Sequence, residues 1–119
     1  MFLRFSLIFV IFFTLSCSKK EEIIYNPSTN KDPYKLYKEG LEAFDQNNFF
    51  FANKKFSEAE LNFKVIELAA KSAIMSSFSL YGINFYNEAL DNLNRYLRKY
   101  PADKNVIYAH YLIAIINYC

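Results

Sequence analysis

From Asp32 onward, apolar residues recur at spacings of three and four, and short polar breaks interrupt them at intervals. This is the spacing that gathers side chains onto one face of an α-helix. It predicts five helices, near 33–46, 49–63, 67–82, 85–99 and 104–118. Asp32 followed by Pro33 makes a good start, with a capping carboxylate before a proline at the first helical position. Gln46-Asn47-Asn48 and Gly82-Ile83-Asn84 separate the next pairs of segments. Lys99-Tyr100-Pro101-Ala102-Asp103 closes the fourth, with Arg98 and Lys99 in its last turn and a proline just beyond. No segment sustains the alternation of a strand. The expected fold class is therefore all-α.

The segments repeat. The second carries Phe49, Ala52, Phe56 and Ala59; the fourth carries Tyr86, Ala89, Leu93 and Tyr96 at the same offsets. Ala52 and Ala89 lie 37 residues apart, and so do Gly40, Ser77 and Ala114 in the odd-numbered segments. A small residue lets a neighbouring helix come close, and the aromatic side chain fills the notch beside it. This pattern resembles the tetratricopeptide repeat, an α-α solenoid whose unit is normally about 34 residues long. The resemblance implies about two and a half helix pairs over 33–119. It departs from the family pattern at Lys64, where a closing proline is usual, and at Tyr96, where a small residue is usual.

The start of the chain reads differently. Arg4 precedes an apolar run from Phe5 to Leu15, long enough for a secretory signal and too short to span a bilayer. The run ends in Thr14-Leu15-Ser16-Cys17, which resembles a lipobox. That implies a signal peptide over 1–16, removed by cleavage, and a diacylglyceryl group on the Cys17 thiol. Residues 17–32 are then a lipidated cysteine and a polar linker. Two or three acyl chains anchor stably where one is marginal. Ser18, rather than Asp, implies delivery to the outer membrane.

Lipobox, linker and 37-residue units together are similar to the BamD (ComL-type) family, lipoproteins of the outer-membrane β-barrel assembly machine. Three stretches carry the resemblance: Tyr37 to Phe56, Tyr86 to Pro101 and Asn105 to Asn117. It implies a lipid-anchored protein on the periplasmic face of the outer membrane. Its implied partners are the barrel-forming core subunit, accessory lipoproteins and unfolded outer-membrane proteins. The family has about five repeats and usually closes its first unit with Arg-Tyr-Pro, where this chain has Lys64-Val65-Ile66. The last predicted helix is apolar and has no partner after it, whereas solenoid ends carry polar caps. The reading that follows is an N-terminal fragment of a longer protein. A different role on the same architecture is a periplasmic scaffold for cell-wall or division proteins.

Composition narrows the chemistry. The chain holds 10 Tyr and 13 Phe, with only two Gly and three Pro, which suits long helices rather than tight turns. Its net charge is +2, and losing Arg4 with the leader lowers it further, so the clustered basic footprint of a nucleic-acid binder is not expected. His110 is the sole histidine and sits on an apolar helix, so neither catalysis nor a metal site is expected. No phosphate-binding glycine loop is present and no cofactor is expected. Glu58 and Glu60 read as a solvated face. Cys17 is assigned to the lipid rather than to a disulfide with Cys119. Binding is better supplied. In a tetratricopeptide stack the first helix of each unit lines the groove. In this register that places Tyr34, Tyr37, Leu41 and Phe44, then Lys71, Ile74, Phe78 and Tyr81, then Tyr108, Tyr111, Ile115 and Tyr118 along it. The tyrosines and phenylalanines among them are the expected peptide- or partner-binding residues, because a tyrosine joins apolar area to a hydroxyl at low entropic cost.

Overall fold

The computed structural model describes residues 31–118; the expected leader, most of the linker, Cys17 and Cys119 lie outside them. Five helices follow in order: α1 Pro33–Asp45, α2 Phe49–Asn62, α3 Ile66–Gly82, α4 Tyr86–Lys99 and α5 Val106–Asn117. No strand occurs among the described residues. The architecture is the all-α, tetratricopeptide-like repeat that the sequence predicts. The last helix begins two residues later than expected. The Asp103 carboxylate accepts from the Asn105 N–H at 3.1 Å, and this local turn competes with helix for those residues.

The repeat is visible in the backbone. Asn47 and Asn84 both adopt left-handed dihedrals, with φ of 57° and 62°. Asparagine tolerates that region better than most residues. Around Asn47, the Asn48 N–H donates to the Ala43 carbonyl and the Asn47 N–H to Phe44. Around Asn84, Phe85 donates to Leu80 and Asn84 to Tyr81. Each bond has its counterpart 37 residues on. Both turns are Schellman caps, which satisfy the last carbonyls of one helix while reversing the chain into the next. At the start of α1 the Asp32 carboxylate accepts from the Tyr34 N–H at 3.0 Å, and Pro33 takes the first helical position.

Helices pair antiparallel along the chain and stack in two layers. Lys71 of α3 reaches over the Tyr37 ring of α1. Lys104, just ahead of α5, bonds Glu67 of α3. Arg95 of α4 bonds Glu60 of α2. The odd helices thus neighbour one another on one side and the even helices on the other. The middle helix α3 is covered most completely, and its composition explains how. Ala69, Ala70, Ser72, Ala73, Ser76, Ser77 and Ser79 are all buried. Small side chains let helices on several sides approach it. Three of its serine hydroxyls are satisfied within the helix, Ser72 donating to the Leu68 carbonyl, Ser77 to Ala73 and Ser79 to Met75, while Ser76 donates across to Asn53 of α2 at 2.6 Å.

Two apolar clusters fill the stack. The smaller joins Ala43, Ala52 and Phe56, with Tyr37, Phe44 and Met75 against them. The larger runs through α3, α4 and α5 and includes Leu93, Tyr96, Leu112 and Ile116. The repeat residues Ala52, Phe56, Ala59, Ala89, Leu93 and Tyr96 are all fully buried, as their spacing predicts. Gly40 lies directly under Phe56: a Cβ there would stand 2.7 Å from the ring. Ser77, its counterpart, is buried too, whereas Ala114, the third member of the series, is exposed.

Candidate functional site

The residues predicted to line the groove separate into two groups. Tyr34, Tyr108, Tyr111 and Tyr118 are exposed. Tyr37, Phe44, Phe78 and Tyr81 are half-buried and share their surface between helix packing and solvent. Tyr34 meets the Phe63 ring edge-on at 5.2 Å, and Tyr37 lies 6.3 Å from the same ring and 5.3 Å from Phe56. Lys71 stands 5.7 Å from the Tyr37 ring centroid, a cation–π arrangement. Tyr34, Tyr37, Phe63 and Lys71 thus form one amphipathic patch where α1, α2 and α3 meet. Burial in it raises the Tyr37 phenol above its ordinary value. Phe44 instead packs on Phe49 at 5.1 Å, and Tyr81 on Tyr86 at 5.8 Å. Ile74 is in the core. On α5, Tyr108, Tyr111 and Tyr118 stand out from the helix, with Ile107 and His110 also exposed.

Glu58 and Glu60 are not on a solvated face, as their sequence surroundings predict; both are buried. The cause is long-range pairing. Arg95 grips Glu60 with both terminal nitrogens, Nη1 to Oε1 at 2.7 Å and Nη2 to Oε2 at 2.8 Å. The Tyr100 hydroxyl donates to Glu60 Oε1 at 3.0 Å, and Lys99 Nζ lies 3.8 Å away. Asn92 accepts from Arg95 at 2.7 Å and donates to the Ser77 hydroxyl at 2.8 Å, carrying the network into α3. Lys31 pairs with Glu58 at 3.1 Å. A planar guanidinium holding a carboxylate in two parallel bonds fixes orientation as well as distance. This network therefore ties the second helix pair to the first through the even helices.

Tyr96 and Tyr100 belong to the same region. Their rings lie 5.7 Å apart, and the Tyr96 hydroxyl donates to Asp103 at 2.5 Å. Burial first, then the neighbouring carboxylates Asp103 and Glu60, push both phenols well above the ordinary tyrosine value. The folded state thus holds these protons more tightly than the unfolded chain. Stability is expected to hold up to about pH 10, where unfolded tyrosines begin to ionise, and to fall above it. Urea midpoints measured across that range should decline more shallowly in a Tyr96→Phe/Tyr100→Phe variant. An identical slope would show that these phenols carry none of the effect.

Among the described residues, no group of His, Cys, Asp and Glu is placed to hold a metal ion. None of the described helices is long and apolar enough to cross a membrane. The arrangement is a helical repeat with exposed tyrosines on α1 and beside and along α5, and a buried ion-pair network joining α2 to α4.

Comparison with known proteins places the module. The family model described as "YfiO: Outer membrane lipoprotein" matches residues 29–119, and the chain belongs to this family. Its relatives include the outer membrane protein assembly factor BamD of Rickettsia prowazekii, 30% identical over 83 residues, which are 70% of this chain and 33% of that protein. BamD of Caulobacter vibrioides is 30% identical over 98 residues, 82% of this chain and 31% of that protein. The chain spans about a third of the length of these curated relatives. No solved structure matches it.

Proposed function

We propose that this chain is the N-terminal, client-facing part of an outer-membrane protein assembly factor, acting by binding rather than by chemistry. In this reading it is anchored through acyl groups on Cys17 to the periplasmic face of the outer membrane. It binds the barrel-forming core subunit, accessory lipoproteins and unfolded outer-membrane proteins. The observation that carries the reading is the family match across the helical repeats. Physical support comes from the row of tyrosines on α1 and α5, whose rings offer apolar area and whose hydroxyls can bond a peptide backbone. A hairpin or strand from a barrel protein presents alternating aromatic side chains and unpaired amides, the complement of such a surface.

The exposed tyrosines are the cleanest probes, because Tyr37 and Phe78 also hold helices together. A peptide copying the C-terminal strand of a barrel protein is expected to bind the chain and to lose roughly tenfold or more in affinity in a Tyr34→Ala/Tyr111→Ala variant. Fluorescence anisotropy of the labelled peptide measures this, with circular dichroism as the folding control. Equal affinity of the folded variant and the parent would remove these residues from the site. The anchor is read separately. Mass spectrometry of the exported protein should find acyl chains on an N-terminal Cys17, and a Cys17→Ser variant should leave the membrane fraction.

A further inference from the structure

Antiparallel pairing gathers the connections of the stack at two ends, and the two ends differ in charge. One end carries the start of α1, the α2–α3 and α4–α5 connections and the start of α5. Its residues 31–35, 61–67 and 98–105 include six cations and three anions. The other end carries the tight Asn47 and Asn84 turns and the end of α5. Its residues 42–51, 81–88 and 114–118 include three anions and no cation. The basic end also exposes aliphatic surface: Leu61 is 76% exposed, Ile66 73% and Val65 50%. Among its cations, Lys64 and Arg98 have no ion-pair partner among the described residues. A cleft of about 480 Å³ opens there, lined by Ile66, Tyr100, Pro101 and Ala102 and by two cations, Lys99 and Lys104, balanced by Glu67 and Asp103.

The chain enters α1 at this basic end. Lys31 is held there by its ion pair with Glu58 near the end of α2, and Tyr34 by its contact with Phe63. Any anchor at Cys17 therefore pulls on this end and leaves the acidic end, where Phe50 and Phe51 are exposed, pointing away. Cations beside exposed aliphatic side chains are the composition that settles on an anionic lipid surface, the charges meeting headgroups and the apolar groups entering the boundary below them.

We infer that the basic end, centred on Leu61, Lys64, Val65, Ile66 and Arg98, rests on the anionic headgroups of the bilayer that holds the anchor. The stack then stands upright on the membrane instead of swinging freely on its linker. This goes beyond the binding role. It shares with that role only the anchor at Cys17 and needs neither client nor partner.

The chain contains no tryptophan, so a single one introduced by substitution is an unambiguous reporter. The acylated full chain is reconstituted into phosphatidylethanolamine vesicles with and without phosphatidylglycerol, carrying either Ile66→Trp or Phe50→Trp. Both positions are exposed, so the larger ring is accommodated. Flotation with the vesicles reports the anchor; emission wavelength and quenching by brominated lipid report which end touches the bilayer. The expected result is blue-shifted, quenched emission from Ile66→Trp on anionic vesicles and none from Phe50→Trp. Adding Lys64→Glu and Arg98→Glu, or raising salt until the screening length is about 3 Å, should remove most of the quenching. Failure of the chain to float overturns the inference. So does a floating chain in which neither reporter is quenched, which would fit a protein occupant instead, or in which Phe50→Trp is the one quenched. Loss of barrel-peptide binding leaves these readings unchanged.

Discussion

Phe56→Ala is expected to destabilise the fold by about 3–5 kcal/mol, the range for removing a fully buried ring whose cavity cannot collapse. Phe56 has 0% exposure and stands between Gly40, Ala43 and Ala52 at the crossing of α1 and α2. Tyr37 and Met75 pack against the same cluster, and the small residues Gly40, Ala43 and Ala52 bring little side-chain volume to fill the void. For a small domain whose total stability is about 5–15 kcal/mol, such a loss threatens the first helix pair altogether. Gly40 gives an independent test of the same contact. A methyl group at Gly40 would sit 2.7 Å from a ring carbon of Phe56, so the buried ring would have to shift. Gly40→Ala gains about 1 kcal/mol of helix propensity but incurs about 1–3 kcal/mol of overpacking, so a net loss is expected despite the better helix former. Placed in a Phe56→Leu background, the same change should cost less, because the ring edge has gone. Urea unfolding of the four proteins in this cycle measures the coupling. Additive effects would show that the ring and the glycine do not share one space.

Breaking the Glu60–Arg95 pair is expected to cost about 3 kcal/mol when the arginine is removed, because Arg95→Ala leaves the Glu60 carboxylate, 5% exposed, without its two-pronged partner. Glu60→Ala should cost less, since Arg95 is partly exposed and can turn to water. The double variant should fall well short of the sum, because with both gone no charge is stranded. Thermal or urea unfolding of all three checks the order. Strict additivity would mean that the pair braces nothing, and equal losses for the two single variants would mean that the glutamate is no more stranded than the arginine. The pair joins α2 to α4, so its loss should also weaken peptide binding by the intact fold, through the relative placement of Tyr34 and Tyr111 rather than through any contact of its own.

The helices were legible because their breaks are chemically loud. Asp32-Pro33, the paired asparagines at 47 and 48, and Pro101 stop or start a helix whatever surrounds them. The buried face was legible because Ala52, Phe56, Ala89 and Leu93 repeat at one spacing. The ion-pair network was not. Glu60 meets Arg95 and Tyr100 across 35 and 40 residues, and local periodicity carries no information at that range. One local signal did exist. Glu60 lies in the last turn of α2, where the helix dipole disfavours an acid, and a glutamate kept there calls for a cation from elsewhere. The division of the aromatic row was hidden for a related reason. Tyr37 and Tyr34 both sit at face positions of α1, but only the fold shows that Phe63, from the end of α2, folds back between them.

The twin reversals at Asn47 and Asn84 make the angle within each helix pair a local property, set by the same few backbone bonds each time. A 37-residue cassette copied behind its original would leave that turn with the same bend, so a scaffold of this kind can lengthen by duplication without redesigning its hinges.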